Sequence, residues 1–327
     1  STQSITFDGS ENMQPDWVWC KSRSQSDNHA IFDSVRGGQK QLRSNTTDAE
    51  LTRTNAISSF DSNGFSMGSQ PEMNSNSVTY VAWNWKAGTA FSNDASATGI
   101  GTLDSSGSRN TTAGFSIISF TGTETSSQSI AHGLNSTPEM IIAKSLDVSD
   151  NWMVFNGTFS AQDYISFTTA AKGSSANVWT SLPSSTVINI GDNAGVNDDG
   201  AMIMYAFNSV KGFSKFGSYK GNGSSDGTFV YTGFRPAWVM AKNADASDHW
   251  VIFDNKRETA NPMVKPLFPN LNNQPGDSTT YTINFFSNGF KFGGSDGATN
   301  SSGNTYVFFA FAESPLVNSN GVPNNAR

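Results

Sequence analysis

Three histidines, His29, His132 and His249, are all the imidazole in this 327-residue chain, and no two stand at metal-ligand spacing. The seven glutamates (positions 11, 50, 72, 124, 139, 258 and 313) include no obvious pair for glycoside hydrolysis. No Gly-x-Ser-x-Gly elbow with a partner base occurs. Gly221-Asn222-Gly223-Ser224-Ser225-Asp226-Gly227 precedes no helix, so it does not read as a phosphate cradle. On these grounds the chain does not read as an enzyme. Acidic loops remain. Asp147-Val148-Ser149-Asp150-Asn151-Trp152 recurs as Asp245-Ala246-Ser247-Asp248-His249-Trp250, and Asn197-Asp198-Asp199-Gly200 has the look of a cation-binding turn. Asp150, Asp248 and Asp198 are therefore the candidate metal ligands, with calcium as the ion such oxygens would take. Asp147 and Asp245 are the candidate ligand-binding carboxylates. The competing reading is a set of turns in which Asp and Ser bond their own backbone, and it is preferred because the dense carboxylate ladder of a calcium loop is missing.

Aromatic side chains offer a second kind of site, stacking on sugar rings. Trp17 and Trp238 fall at equivalent places in a repeated pattern, as do His29, Trp152 and Trp250, and equivalent bulky residues form cores. Trp179 has no such counterpart, so it is the candidate exposed aromatic for a ligand. The net charge of -7 and the absence of a Lys/Arg cluster argue against nucleic acid as partner. Apolar runs of only about six residues are too short for membrane insertion. Ser1-Thr2-Gln3-Ser4-Ile5 has neither the basic nor the apolar region of a signal peptide. The single Cys20 excludes an intrachain disulfide.

The elements that carry these residues are written three times. Pro15-Asp16-Trp17-Val18-Trp19-Cys20-Lys21 recurs as Pro138-Glu139-Met140-Ile141-Ile142-Ala143-Lys144 and as Pro236-Ala237-Trp238-Val239-Met240-Ala241-Lys242. Exactly 12 positions after each lysine stand Asp33, Asn156 and Asp254. Tyr80–Trp85, Met202–Phe207 and Tyr306–Phe311 close the three copies. Fixed spacing of this kind marks an internal repeat. The boundaries read as 1–88 for the first unit, 89–112 for a Gly/Ser/Thr-rich linker, 113–211 and 212–314 for the second and third units, and 315–327 for an extended tail.

Within each copy the runs are short, rich in Val, Ile, Phe, Tyr and Trp, and bounded by Gly, Asn, Asp and Ser, which is strand-and-turn patterning. Asn63-Gly64 and Asn288-Gly289 are tight-turn dipeptides. The closing strand alternates, with Val81, Trp83 and Trp85 opposite Tyr80, Ala82 and Asn84, which predicts a sheet with one buried face. Thr47 and Glu50 allow one short helix or turn within 46–56. The fold class expected is all-β, with three tandem antiparallel β-sandwich (jelly-roll-like) units of about 100 residues each.

Several motifs together resemble a repeat family found in virion structural and tail-fibre proteins of tailed phages, many from marine hosts. They are Phe32-Asp33-Ser34-Val35-Arg36-Gly37, Tyr80-Val81-Ala82-Trp83-Asn84-Trp85-Lys86-Ala87-Gly88, Gly114-Phe115-Ser116-Ile117, Phe213-Ser214-Lys215-Phe216-Gly217-Ser218-Tyr219 and Tyr231-Thr232-Gly233-Phe234-Arg235-Pro236-Ala237-Trp238. The resemblance spans nearly the whole chain and implies a place on the virion surface, outside the cell. It supplies no catalytic residues. The expectation is a structural or adhesive appendage that contacts host-surface glycans, with other virion proteins as partners and a homo-oligomer such as a trimer. The alternatives are a head-decoration or filament-forming protein without a receptor, and a glycan depolymerase.

Overall fold

The structure, a computed structural model, describes residues 1–9 and 11–314. The tail expected at 315–327 lies outside the described residues. The first segment contributes β1 (Gln3–Thr6), β2 (Trp17–Ser22), β3 (Ala30–Asp33), β4 (Lys40–Gln41), β5 (Leu51–Thr52), β6 (Ile57–Asp61), β7 (Gly64–Met67), the one-turn α1 (Pro71–Asn74) and β8 (Tyr80–Trp85). Next come β9 (Thr89–Asn93), α2 (Ala95–Thr98), β10 (Ser105–Asn110), β11 (Phe115–Thr121), β12 (Gln128–Ala131) and β13 (Met140–Ser145). They are followed by β14 (Met153–Asn156), β15 (Asp163–Ser166), β16 (Gly173–Ser174), β17 (Val187–Ile190), α3 (Ala194–Asn197) and β18 (Ala201–Phe207). The last segment holds β19 (Ser214–Lys220), β20 (Asp226–Tyr231), β21 (Pro236–Asn243), β22 (Val251–Asp254), β23 (Thr282–Phe286), β24 (Gly289–Gly293) and β25 (Thr305–Ala312).

The protein is all-β, and its named strands pair antiparallel. Three inner sheets share one order. It runs β3-β2-β8 in the first segment, β14-β13-β18-β11 within an eight-stranded sheet in the second, and β22-β21-β25-β19 in the third. Each faces a small outer sheet, β1-β7-β6, β12-β17 or β20-β24-β23. The linker expected at 89–112 is instead structured. It forms β9 and β10, which extend the second inner sheet beside β11. Its Ser/Gly composition misleads because these strands are held by their ladders and by close backbone approach. A Cβ on Gly107 would lie 1.9 Å from the Ile117 carbonyl oxygen. The helix allowed within 46–56 is absent as well. Glu50 caps nothing there. It reaches Arg36 and Lys40, and Leu51–Thr52 pairs with Lys40–Gln41.

Side-chain alternation distributes each inner strand between two cores. Trp17 and Trp19 of β2 enter a central cluster, while Val18 and Cys20 enter a cluster private to the first segment. Met140 and Ile142 of β13, and Trp238 and Met240 of β21, enter the same central cluster. Their alternate neighbours Ile141 and Ala143, and Val239 and Ala241, go to private ones. On β8 itself Trp83 and Trp85 are buried and Tyr80, Ala82 and Asn84 half-buried, but the expectation of a single buried face does not extend to β18 and β25, which are buried on both sides over nearly their whole length. The second face is covered because all three inner sheets pack on one another. Trp17 stacks on Tyr205 with ring centroids 4.6 Å apart, Trp85 meets Trp238 at 5.9 Å, and Phe207 meets Phe311 at 5.8 Å. Each pair joins a different two of the segments.

A core common to three segments ties their stabilities together. Trp17→Ala should lower stability by about 3–5 kcal/mol, the usual cost of deleting a buried tryptophan. Unfolding should remain one transition by calorimetry, with equal van't Hoff and calorimetric enthalpies. Three resolved transitions, with only one moved by the substitution, would contradict the shared core.

Candidate functional site

Burial of polar groups at the segment junctions forces specific pairings, and three of them form a closed ring. His29 Nε2 lies 3.0 Å from the Phe268 carbonyl oxygen, joining first segment to third. Trp152 Nε1 donates to the Arg43 carbonyl at 2.9 Å, joining second to first. Trp250 Nε1 donates to the Ser166 carbonyl at 2.7 Å, joining third to second. His29, Trp152 and Trp250 are the residues that the repeat aligns. Trp19 Nε1 donates to His29 Nδ1 at 2.8 Å, so the neutral tautomer carrying hydrogen on Nε2 satisfies both bonds. Burial, helped by the nearby Lys21 charge, pushes this imidazole from 6.5 down to about 3.

Behind the ring lie the three repeated lysines, fully buried. Lys21 donates to the Ser22 carbonyl, Lys144 to those of Ser145 and Val148, and Lys242 to that of Asn243. Burial lowers all three to about 8, opposed by the charges of Asp27, Asp150 and Asp248 respectively. Each ammonium bonds the last carbonyl of its own strand, Lys144 and Lys242 reach into the following loop as well, and the three aspartates serve as counter-charges.

A second junction contact shows how the copies diverge. Tyr205 Oη donates to Asp33 Oδ2 at 2.7 Å, and Arg36 Nε donates to the same oxygen at 2.6 Å. In the third segment Arg257 Nε donates to Asp254 Oδ2 at 2.5 Å, and Trp83 Nε1 donates to it at 3.3 Å. At the remaining junction the carboxylate is Asn156, the arginine position is Phe159, and the donor position is Phe309. Charge, counter-charge and donor are all absent here, and Asn156 Nδ2 is buried without a partner.

The three segments also enclose a depression of about 490 Å³. The first supplies Asn45, Thr46, Thr47 and Asp48, the second Asn151, Trp152, Phe167, Thr168 and Thr169, and the third His249, Asn270 and Leu271. Asn270 holds His249, with its Nδ2 2.9 Å from Nδ1, and accepts from the Trp250 backbone N–H at 3.1 Å. Thr46 Oγ1 donates to Asp48 Oδ2 at 2.9 Å. Amides, hydroxyls, one carboxylate and one imidazole thus gather beside the buried rings of Trp152 and Phe167. That combination suits a neutral, hydroxyl-rich ligand.

The residues singled out in the sequence are mostly tied into the framework. Asp147 Oδ2 accepts from Ala201 N at 2.7 Å, and Asp245 Oδ2 accepts from Thr305 N at 2.7 Å, so both brace the turn before the closing strand. Asp150 and Asp248 accept from the backbone N–H of the next residue, at 2.6 and 2.8 Å. Asp198 accepts from Ser145 Oγ at 3.1 Å. No group of three or more His, Cys, Asp or Glu suited to a metal occurs among the described residues. Trp179, expected to be exposed, is 1% exposed and packs edge-on to Phe155 in the second private core. Its bridge to Ile190 in β17 draws it inward, a pairing that no repeat position announced. His132 is buried too, with Nε2 3.2 Å from the Ser184 carbonyl and Nδ1 accepting from Leu134 N. The exposed aromatics are Phe229, Tyr231 and Phe286, with Phe229 and Phe286 5.9 Å apart. Phe229 and Tyr231 stand two apart on β20 with buried Val230 between them, so alternation was the signal that marks them.

The fold and the depression define an all-β protein with a shared junction cavity. The family described as "Domain of unknown function (DUF7483)" matches residues 1–315, and the chain belongs to that family. No curated protein and no solved structure matches the chain.

Two measurements probe the junctions. His29 and His132 sit below 6.5, at about 3 and about 4, because burial penalises their charged forms. Between those values and 6.5 the unfolded chain binds more protons than the folded one. Stability should therefore fall as pH drops through that window, by up to about 1.4 kcal/mol per pH unit for each histidine. Trp19→Met with His29→Trp installs the third segment's pair and should remove the His29 share, read from urea melts between pH 7 and 4. An unchanged acid profile would contradict that role. Separately, Asn156→Asp alone should cost about 3 kcal/mol as an unpaired buried charge. Adding Phe309→Tyr should recover at least about 1 kcal/mol as coupling in a double-mutant cycle, whereas strict additivity would separate the two positions.

Proposed function

We propose that this chain is a structural and adhesive component of a tailed-phage virion, a tail fibre or surface appendage displayed outside the cell. It is built from three tandem jelly-roll-like β-sandwich units, works by binding without turnover, and has other virion proteins and copies of itself as partners. Its ligand is a host-surface glycan, held in the depression between the units. The observation that carries this reading is the composition of that depression. Asn45, Thr168 and Asn270 offer amide and hydroxyl groups beside Trp152 and Phe167, joined by the Asp48 carboxylate and the His249 imidazole, and no Lys or Arg side chain lines it. Saccharide hydroxyls pair with groups of these kinds, and the apolar base suits the carbon face of a sugar ring.

A second reading, lateral packing in a head shell or filament, draws on the exposed Phe229, Tyr231 and Phe286. A patch of that kind marks a contact surface between proteins. The two readings part in one experiment. Host-envelope oligosaccharides are titrated calorimetrically into the full chain and into Asp48→Ala, His249→Ala and Phe229→Ala. The glycan reading expects the first two variants to bind about tenfold more weakly, since a hydrogen bond is worth roughly 1–1.5 kcal/mol. Phe229→Ala should bind like the parent. Loss confined to Phe229→Ala, or no saccharide binding at all, overturns it, and release of shortened glycans would instead indicate a depolymerase.

A further inference from the structure

In the second and third segments the closing strand is central in its sheet. β18 lies between β13 and β11, and β25 lies between β21 and β19, with seven-residue registers to β11 and β19. In the first segment β8 pairs with β2 alone, and β1, which opens the segment, pairs with β7 in the outer sheet instead. The ladder to β2 runs through Arg23 N to Thr79 O, and its alternation turns the N–H and C=O groups of Tyr80, Ala82 and Asn84 toward the open side. No strand of the described residues occupies that side.

The vacancy has the shape of a groove. Trp83, Trp85, Trp238 and Phe311 line it together with Met13 and Phe213, around about 330 Å³. Asn84 adds a second observation. Its counterparts in β18 and β25 are Ala206 and Ala310. Its Nδ2 donates to the Ala82 carbonyl at 3.1 Å, one of the carbonyls on the open side. Its Oδ1 is buried with no partner. A long, apolar edge left in this state is a pairing surface.

We propose that the open edge of β8 accepts an extended peptide strand supplied by another polypeptide, paired antiparallel and sealing the central core. The chain itself shows the chemistry of the occupant. β11 brings Phe115 and Ile117 to the central cluster with Ser116 between them, and β19 brings Phe216. The incoming strand therefore carries bulky apolar residues at the alternate positions that face the central cluster, with its backbone supplying most of the affinity. This stands independently of the glycan reading.

The test uses the full chain and a synthetic peptide with the sequence of residues 114–122, GFSIISFTG. The readout is hydrogen exchange at the Tyr80, Ala82 and Asn84 amides. The proposal expects fast exchange without peptide, and exchange about 100-fold slower at a peptide concentration of about 100 Kd. Ala82→Pro removes one outward N–H while leaving the β2 ladder in place, and should abolish the protection. A peptide of the same composition with polar residues at the positions of Phe115 and Ile117 should fail on the parent chain, which keeps the test sharp even if the proline variant does not fold. Continued fast exchange at saturating peptide overturns the proposal. So does protection already present in the free chain, whether lost on deleting residues 315–327, which would put the tail in the groove, or dependent on chain concentration, which would put a second copy there.

Discussion

Burial on both faces of the inner strands is the constraint from which the remaining features follow. A strand with one solvated face can place polar groups there freely. β2, β13 and β21 have no such face, so every side chain along them must suit either the central cluster or a private one. The lysine that ends each run illustrates the cost. Its ammonium cannot reach bulk water and instead binds the carbonyl of the next residue, the last of its own strand. The indole and imidazole groups of Trp250, Trp152 and His29 face the same problem, and each solves it with a backbone carbonyl of a neighbouring segment. The three sheets are joined by their need to satisfy buried donors as well as by aromatic contact.

The depression arises from the same geometry. Where the loops after the inner strands converge, the rings of Trp152 and Phe167 give way to Asn45, Thr168 and Asn270, which stand at matching places after the strands or bridges formed by Leu42, Ile165 and Leu267. Two of these amides are engaged in holding the chain, since Asn45 accepts from His29 N and Asn270 from Trp250 N. The rim is therefore held in place by the framework before any ligand arrives, which reduces the ordering entropy that binding must overcome.

Much of this was legible in the residues. The repeated Pro-x-x-x-x-x-Lys runs, the fixed step to Asp33, Asn156 and Asp254, and the closing strands located the inner sheets, because strand patterning and spacing are local properties. What escaped was set by partners distant in the chain. Nothing local in Trp83 or Tyr205 says that it meets an aspartate of another segment. Ser105–Asn110 read as linker because it is held by ladders to β9 and β11 and by polar bonds of Ser105 and Arg109 to distant carbonyls, none of which local patterning shows. Trp179 read as exposed because a residue without a repeat counterpart carries no inherited placement. The depression was invisible for a related reason: its lining comes from three stretches, none of which forms a site alone.

The uncharged set Asn156, Phe159 and Phe309 shows how tightly this contact is coupled. Removing the arginine alone would have stranded a carboxylate, and removing the carboxylate alone would have stranded a guanidinium, each at several kcal/mol. Carboxylate, arginine and donor at this position thus depend on one another across two segments. The seam between two segments, and neither segment by itself, is therefore where these side chains must be matched.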